Sequence, residues 1–450
     1  MDMVSVGQKT SDQFQKCPLT LLEPTRGVFS CYNMSTHDRP MIQLRPHQQR
    51  ALDAMLKHSK GQLVMPTGAG KTLTMIFNAI EQMKTSSESM HFVVVAPRIL
   101  LASQLCSEFL EHIDNAHIIH VHSGETDHFS TTKTAMIHAW HHAVDGHRIT
   151  FTTYNSLQKV VDSGVHINTI YFDEAHNSVK KSFYTPTEML SSKADRCYFF
   201  TATPKHSAAW NKPGMNNAQV YGNVIINVPA PELIENGSII PPVVNAVNIN
   251  MERDKEFGAE RDCMTLLDTI INGDNMQKVL VAAPNTKVLM RMLAETDFMP
   301  EIQSYGYDVL WITSKHGAFI NNEKVTREEF FNVLSQYGRD PEKKFVILHY
   351  SILSEGINCP GLTACVMMRQ MDVIQMCQTI GRVIRLHPED ASNIRSGKVA
   401  AGDLDNYTKS FGLIHVPVYS NTGIATARRL QAVVDTVFTE GQPCIATIQK

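Results

Sequence analysis

MPTGAGKT, residues 65–72, lies between an apolar run that begins at QLV (62–64) and a helix-like segment, KTLTMIFNAIEQM (71–83). A strand that turns through glycines into a helix is the setting a phosphate-binding loop requires, because free backbone N–H groups gather at a helix N-terminus. In that reading Pro66, Thr67, Gly68, Ala69 and Gly70 form the loop. Lys71 reaches the outer phosphates, and the Thr72 hydroxyl holds Mg²⁺. The strict pattern asks for glycine where this chain has Met65, and a glycine-rich turn with a chance Lys-Thr pair is the bland alternative. The rest of the sequence has to decide.

About a hundred residues on, TIYFDEAH (169–176) ends a β-branched and aromatic run in two adjacent carboxylates. Phosphoryl transfer needs one group to hold the metal and another to orient and deprotonate the attacking water. Asp173 suits the first role and Glu174 the second. A lone acidic strand end would be read as solvated surface; beside MPTGAGKT it completes a catalytic pair.

Around these motifs short strands alternate with helix-like segments: HFVVVAP then RILLASQLCSEFLEH, RITFTTY then NSLQKVV, then CYFFTATP. That alternation predicts a parallel sheet with crossover helices. The rhythm breaks at PAPELIENGSIIPPVV (229–244), where five prolines and glycines predict an interdomain linker. A second series follows, with strands KVLVAAP, DVLWITS, KFVILHY and TACVMM and helices TREEFFNVLSQYG and DVIQMCQTIGRVIR. The expected fold is α/β, two RecA-like parallel-sheet domains in tandem with the nucleotide in the cleft between them. The expected boundaries are an extension over 1–40, a first domain over 41–228, the linker over 229–244, a second domain over 245–425 and a C-terminal helix and tail over 426–450. In that last piece Leu430, Val433, Val434, Val437 and Phe438 share a helical face, which predicts packing against the second domain.

Composition narrows the class. With 450 residues, 43% hydrophobic and 19% charged, the chain can bury two cores. A net charge of −3 and a pI near 6.7 argue against a passive nucleic-acid coat but suit a motor that must release phosphates in every cycle. A local groove around Arg98, Lys159 and Lys205 would suffice for such contacts. No charged leader precedes an apolar run and no stretch approaches a membrane span, so a soluble cytoplasmic enzyme is expected. Nine cysteines without a C-x-x-C pair predict buried thiols. Eight histidines between positions 117 and 147 lack the spacing and acidic partners of a metal site, and RDPEKK (339–344) reads as a charged loop, not a nuclease cluster.

The ordered motifs resemble those of superfamily 2 helicases, over roughly residues 41–388. LRPHQQRALDAM is similar to the family's adenine-recognition segment, with Gln48 in the place of its glutamine. APRILLASQ (96–104) and TTYNSL (152–157) resemble strand-contacting motifs, which implies roles for Pro97, Arg98 and Thr153 in holding nucleic acid. DEAH (173–176) and TATP (201–204) stand where relatives couple hydrolysis to strand engagement, through His176, Thr201 and Thr203. SILSEGINCPGL (351–362) resembles the fifth motif; it would bring Ser351 to the strand and Gly356 and Asn358 to the nucleotide, Asn358 replacing the aspartate of many relatives. QTIGRVIR (378–385) resembles the sixth. Its Gln378, Arg382 and Arg385 fall at i, i+4 and i+7, one side of a helix, where two arginines can neutralise charge on the γ-phosphate. The resemblance implies ATP and Mg²⁺ as cofactors and nucleic acid as partner, with DNA preferred because the arrangement is most similar to restriction-enzyme motor subunits and phage branch-migrating helicases. An RNA-remodelling ATPase and a nonhydrolysing clamp of the same fold are the rival readings.

Overall fold

The computed structural model describes residues 43–124, 126–209, 211–313, 315–350 and 359–448. Ser351, Gly356 and Asn358, together with the extension over 1–40, lie outside the described residues.

The first lobe opens with α1 (Pro46–Lys57) and β1 (Lys60–Val64), then α2 (Lys71–Thr85), β2 (His91–Ala96), α3 (Ile99–Leu110) and β3 (Ala116–Val121). It continues through α4 (Thr134–Ala143), β4 (His147–Thr153), α5 (Leu157–Ser163), β5 (Thr169–Phe172), α6 (Lys181–Lys193) and β6 (Arg196–Thr201). Three short elements, β7 (Lys205–Ser207), α7 (Ala218–Tyr221) and β8 (Val224–Asn227), close it, and α8 (Ala230–Glu235) leads out. Seven strands form a sheet in the order β3-β4-β2-β5-β6-β1-β8, every neighbouring pair parallel. The central strands β2 and β5 are buried along their whole length, as a sheet covered by helices on both faces demands.

The second lobe begins with β9 (Pro242–Ile249), α9 (Gly258–Asn272), β10 (Lys278–Ala282), α10 (Thr286–Glu295), α11 (Phe298–Ser304) and β11 (Tyr307–Thr313). A hairpin, β12 (Gly317–Ile320) and β13 (Glu323–Val325), turns through Asn321 and Asn322, both at positive φ as a tight two-residue turn requires. Then come α12 (Arg327–Arg339), β14 (Lys344–His349), β15 (Ala364–Met367), α13 (Val373–Val383), α14 (Pro388–Arg395), β16 (Gly412–Tyr419), α15 (Ile424–Val434) and β17 (Ala446–Ile448). Its eight-stranded sheet runs β13-β12-β11-β14-β10-β15-β16-β9, parallel except for the hairpin.

Two expectations change in detail. The stretch read as a linker is packed: Leu233, Ile239 and Ile240 are fully buried, and Pro242 already pairs with Gly412 as the first register of β9. Pro241 and Pro242 sit where a sheet strand begins on the edge of a lobe, and Pro229 and Pro231 at the N-terminus of α8, both positions that tolerate the missing donor. The C-terminal segment does more than cover the second lobe. Leu430, Val433 and Val434 are buried against β9 and β16, but β17 crosses back to pair with β7 of the first lobe, Ala446 N–H donating to Pro204 O at 2.9 Å. Among the described residues no helix is long and apolar enough to cross a membrane.

Candidate ATP and nucleic-acid sites

The phosphate loop is shaped by two glycines that only glycine could replace. Gly68 and Gly70 have φ of 90° and 77°, the left-handed region, and a Cβ on Gly70 would stand 2.1 Å from Gln48 Nε2. On Gly68 it would meet Ile239 Cγ2 at 2.6 Å. Behind the loop, α2 is locked to β5 by buried polar side chains. Tyr171 OH donates to Asn78 Oδ1 at 2.8 Å, Gln82 Nε2 donates to the same oxygen at 2.7 Å, and Thr169 Oγ1 donates to Gln82 Oε1 at 2.6 Å. The helix that starts with Lys71 and Thr72 is thereby held in register with the strand that ends at Asp173.

Glu174 adopts φ 45°, unusual for a side chain with a Cβ, and this turn aims its carboxylate back at the loop. Lys71 Nζ lies 3.8 Å from Glu174 Oε1, and His176 Nδ1 lies 3.5 Å from Oε2. The same His176 nitrogen is 3.1 Å from Thr201 Oγ1, which accepts from Thr203 N–H at 3.0 Å. The three residues expected to couple hydrolysis to strand engagement are therefore joined in a chain, Thr203 to Thr201 to His176, and His176 reaches the Glu174 carboxylate. Burial pushes Asp173 up to about 7, reinforced by the neighbouring Glu174 carboxylate. Burial acts on Glu174 too, but Lys71, then His176 and Arg382, outweigh it and hold that carboxyl below its ordinary value. A buried carboxyl raised in this way gains from a divalent cation, which needs only one or two protein ligands when phosphates and water supply the rest. Asp173 and Thr72 fit that requirement.

From the second lobe, Gln378 and Arg382 on α13 and Arg385, two residues past its end and bridged to Ile239 instead of sharing the helical side its spacing predicts, reach the same cavity, of about 330 Å³, that Thr67, Gly68, Gly70, Lys71, Thr72, Asp173 and Glu174 line from the first. The approach is close: a Cβ on Gly381 would come within 2.6 Å of Thr67 Cβ. The end of α13 is fixed by a residue no motif marks. Lys409, buried, donates from Nζ to Leu362 O and Val383 O and, at 3.0 Å, to Arg385 O. Burial brings its ammonium down to about 7.

Gln48 is buried against the loop, its Nε2 donating at 3.4 Å to Ala69 O and Gly70 O while its Oε1 accepts from Arg45 N–H at 2.9 Å. Pro66 lines a small neighbouring pocket with Thr67, Gly381, Cys377 and Cys444. Pro97, Arg98 and Thr153 line a second groove of about 350 Å³, together with Asn155 and Ser156. Lys159 and Lys205 do not line it: Lys159 is on the exposed face of α5 and Lys205 is held in β7 beside the C-terminal strand. The second lobe contributes Arg327 and Phe331 of α12 instead, a cation and an aromatic ring one helical turn apart. The clustered histidines are turned mostly on one another, His120 Nδ1 lying 2.9 Å from His122 Nε2. Among the described residues no group of three His, Cys, Asp or Glu is placed to hold a metal ion.

The two parallel-sheet lobes and the cleft between them have the arrangement of tandem RecA-like domains. Residues 41–206 match the family described as type III restriction enzyme, res subunit, and the whole is related in fold to restriction-enzyme motor subunits. The chain is similar to the ATP-dependent Type ISP restriction-modification enzyme LlaBIII bound to DNA, at 16% identity and a TM-score of 0.65, over 90% of this chain and 31% of that one. It is also similar to a fragment of a putative HsdR subunit of a type I restriction enzyme from Vibrio vulnificus, at 16% identity and TM-score 0.54, over 84% of this chain and 70% of that one. A third likeness is to S. cerevisiae Dbp5 bound to RNA and ADP BeF3, at 15% identity and TM-score 0.52, over 89% of each chain. The chain thus spans about a third of the length of LlaBIII. No curated protein matches the sequence.

Proposed function

We propose that this chain is a nucleic-acid-dependent ATPase that converts hydrolysis into movement on DNA. The observation that carries the reading is the shared cavity: Lys71, Thr72, Asp173 and Glu174 from one lobe face Gln378, Arg382 and Arg385 from the other. Lys71 and the loop amides hold the phosphates, Asp173 and Thr72 hold Mg²⁺, and Glu174, kept ionised by its cationic neighbours, takes a proton from the attacking water. Arg382 and Arg385 stabilise charge that develops as the γ-phosphoryl leaves. Glu174 touches both Lys71 and His176, and His176 reaches Thr201, so the hydrolytic centre is wired to the segment that precedes the lobe-crossing β7·β17 pair. The groove lined by Arg98, Thr153, Arg327 and Phe331 draws on both lobes, so a change in their spacing changes the grip on a strand. Backbone phosphate contacts of that kind let a motor step without reading bases.

DNA is preferred over RNA because LlaBIII, with the greater fold likeness, is a DNA-bound restriction enzyme. The test is ATP turnover measured in parallel with single-stranded DNA, duplex DNA, branched DNA and RNA. Stimulation by DNA is the expected result. Stimulation by RNA alone transfers the reading to an RNA-remodelling ATPase, and no turnover with any of them leaves a nonhydrolysing clamp.

A further inference from the structure

One buried side chain beside the phosphate loop has no part in the scheme above, and it reaches the connector between the lobes. His47, on the first turn of α1, is fully buried. Its Nε2 lies 2.9 Å from Ala69 O, in the phosphate loop, and its Nδ1 lies 3.1 Å from Asn236 Nδ2, in the connector. Asn236 Oδ1 accepts from the Ser238 hydroxyl, and Ser238 lines the nucleotide cavity together with Arg382 and Arg385. The next residue, Ile239, forms an antiparallel bridge with Arg385, and Ile240 N–H donates to Ile384 O at 2.9 Å.

The donors and acceptors allow a single arrangement while the ring is neutral. A carbonyl only accepts, so Nε2 carries the hydrogen and donates to Ala69 O. Nδ1 is then an acceptor and takes a hydrogen bond from the Asn236 amide nitrogen. The Asn236 amide oxygen is thereby turned to the Ser238 hydroxyl. Burial holds His47 below its ordinary value, in keeping with the neutral ring. Packing runs in parallel with the polar chain, because Gly68 meets Ile239 where a Cβ would collide. At the exposed end Arg50 and Glu232 form a two-point ion pair, at 2.9 and 2.8 Å, that ties α1 to α8.

We propose that His47, Asn236 and Ser238 are positioning residues that act as one hydrogen-bond relay, setting the phosphate-loop backbone against the connector strand that holds Arg385. Through it, the lobe that binds the phosphates fixes where the arginine of the other lobe stands. This inference rests on the ATPase reading. It adds to that reading a physical link through side chains to which no motif assigns a role, and makes hydrolysis, not nucleotide binding, depend on the connector.

The experiment is steady-state ATP turnover, with saturating nucleic acid, of Ser238→Ala, Ser238→Thr, Asn236→Ala and His47→Phe, each also combined with Arg385→Ala. Thermal unfolding is followed alongside. Removal of the Ser238 hydroxyl is the mildest change, so the outcome is read from it if a ring or amide variant fails to fold. A positioning role predicts that kcat falls roughly tenfold with KM within about twofold, that Ser238→Thr recovers most of the loss, and that the loss disappears in the Arg385→Ala background, as for residues acting through one group. Losses that simply multiply with Arg385→Ala, or a raised KM with unchanged kcat, overturn the relay while leaving the ATPase reading intact. A wild-type chain without turnover overturns both.

Discussion

In the first lobe the helix behind the phosphate loop is fastened to its neighbouring strand through side chains on both partners, Asn78 and Gln82 meeting Thr169 and Tyr171. In the second, the helix that carries Arg382 and the turn that carries Arg385 are fastened through backbone carbonyls, which a single ammonium, that of Lys409, gathers at the helix end. The first arrangement fixes Lys71 and Asp173 to each other whatever the other lobe does. The second holds the backbone around Arg382 and Arg385 within their own lobe, and only the connector, through Ile239, reaches Arg385 from outside it, so their position in the cavity is set by how the lobes meet. On the proposed function, the difference gives ground-state binding to the first lobe and transition-state stabilisation to the approach of the second.

Substitutions at the two ends of the cavity should break that division in different ways. Lys71→Ala removes the cation that faces the phosphates and Glu174 together, and turnover is expected to fall below detection along with nucleotide affinity. Equilibrium binding of ATP with single-turnover hydrolysis checks it; normal turnover in a folded protein removes the phosphate-loop assignment. Arg382→Ala should spare affinity and lower kcat by ~10³-fold, the scale for loss of an arginine finger. A large rise in KM with unchanged kcat would place Arg382 in ground-state binding and erase the contrast between the lobes.

Gly381→Ala sharpens the comparison, since it touches neither set of catalytic groups. The added methyl would stand 2.6 Å from Thr67 Cβ, so α13 and the phosphate loop must separate by a fraction of an ångström or more. Misplacement on that scale can cost up to ~10²-fold in rate. The expected result is a fall in kcat with the melting temperature nearly retained; unchanged kcat means the closeness of Thr67 and Gly381 has no part in catalysis.

The motifs were legible because each puts chemistry and spacing into a short window. Lys71 and Thr72 follow glycines, Asp173 and Glu174 end an apolar run, and Gln378, Arg382 and Arg385 recur at helical spacing, although α13 stops at Val383 and Arg385 lies in the bridge to Ile239. Residues that act through tertiary contact carry no such mark. Lys409 lies in a loop among polar residues, Arg327 and Phe331 belong to an ordinary amphipathic helix, and Asn236 and Ser238 sit among prolines and glycines that read as tether. Strands were missed for related reasons. β3, AHIIHV, is broken by histidines that suggest surface, though His120 is fully buried, and β9 starts at a proline. His47 was hidden by its neighbour, since Gln48 absorbed the meaning of the segment.

The smallest expected effect concerns acid, and it separates the lobes again. In the first lobe His141 lies 4.8 Å from His91 of β2 between ring centroids, and His120 of the edge strand β3 is bonded to His122. Burial, and then the neighbouring imidazoles or Arg148, bring His91 to about 3 and His120 and His141 to about 4. In the unfolded chain the same rings take up protons near 6.5. Below that value the unfolded state therefore binds more protons than the folded one, and stability that is fully present above 6.5 is lost as the pH falls toward 4. Among the described residues the second lobe has one such deeply shifted ring, His349 at about 3. Hydrogen exchange during acidification should accordingly show β3 and β4 losing protection before β10 and β14. His120→Phe, which keeps a ring in place but cannot take up a proton, should narrow the interval between the two lobes. Loss of protection in both lobes at one pH, or an interval that His120→Phe leaves unaltered, would mean that these histidines do not set the acid limit of the first lobe.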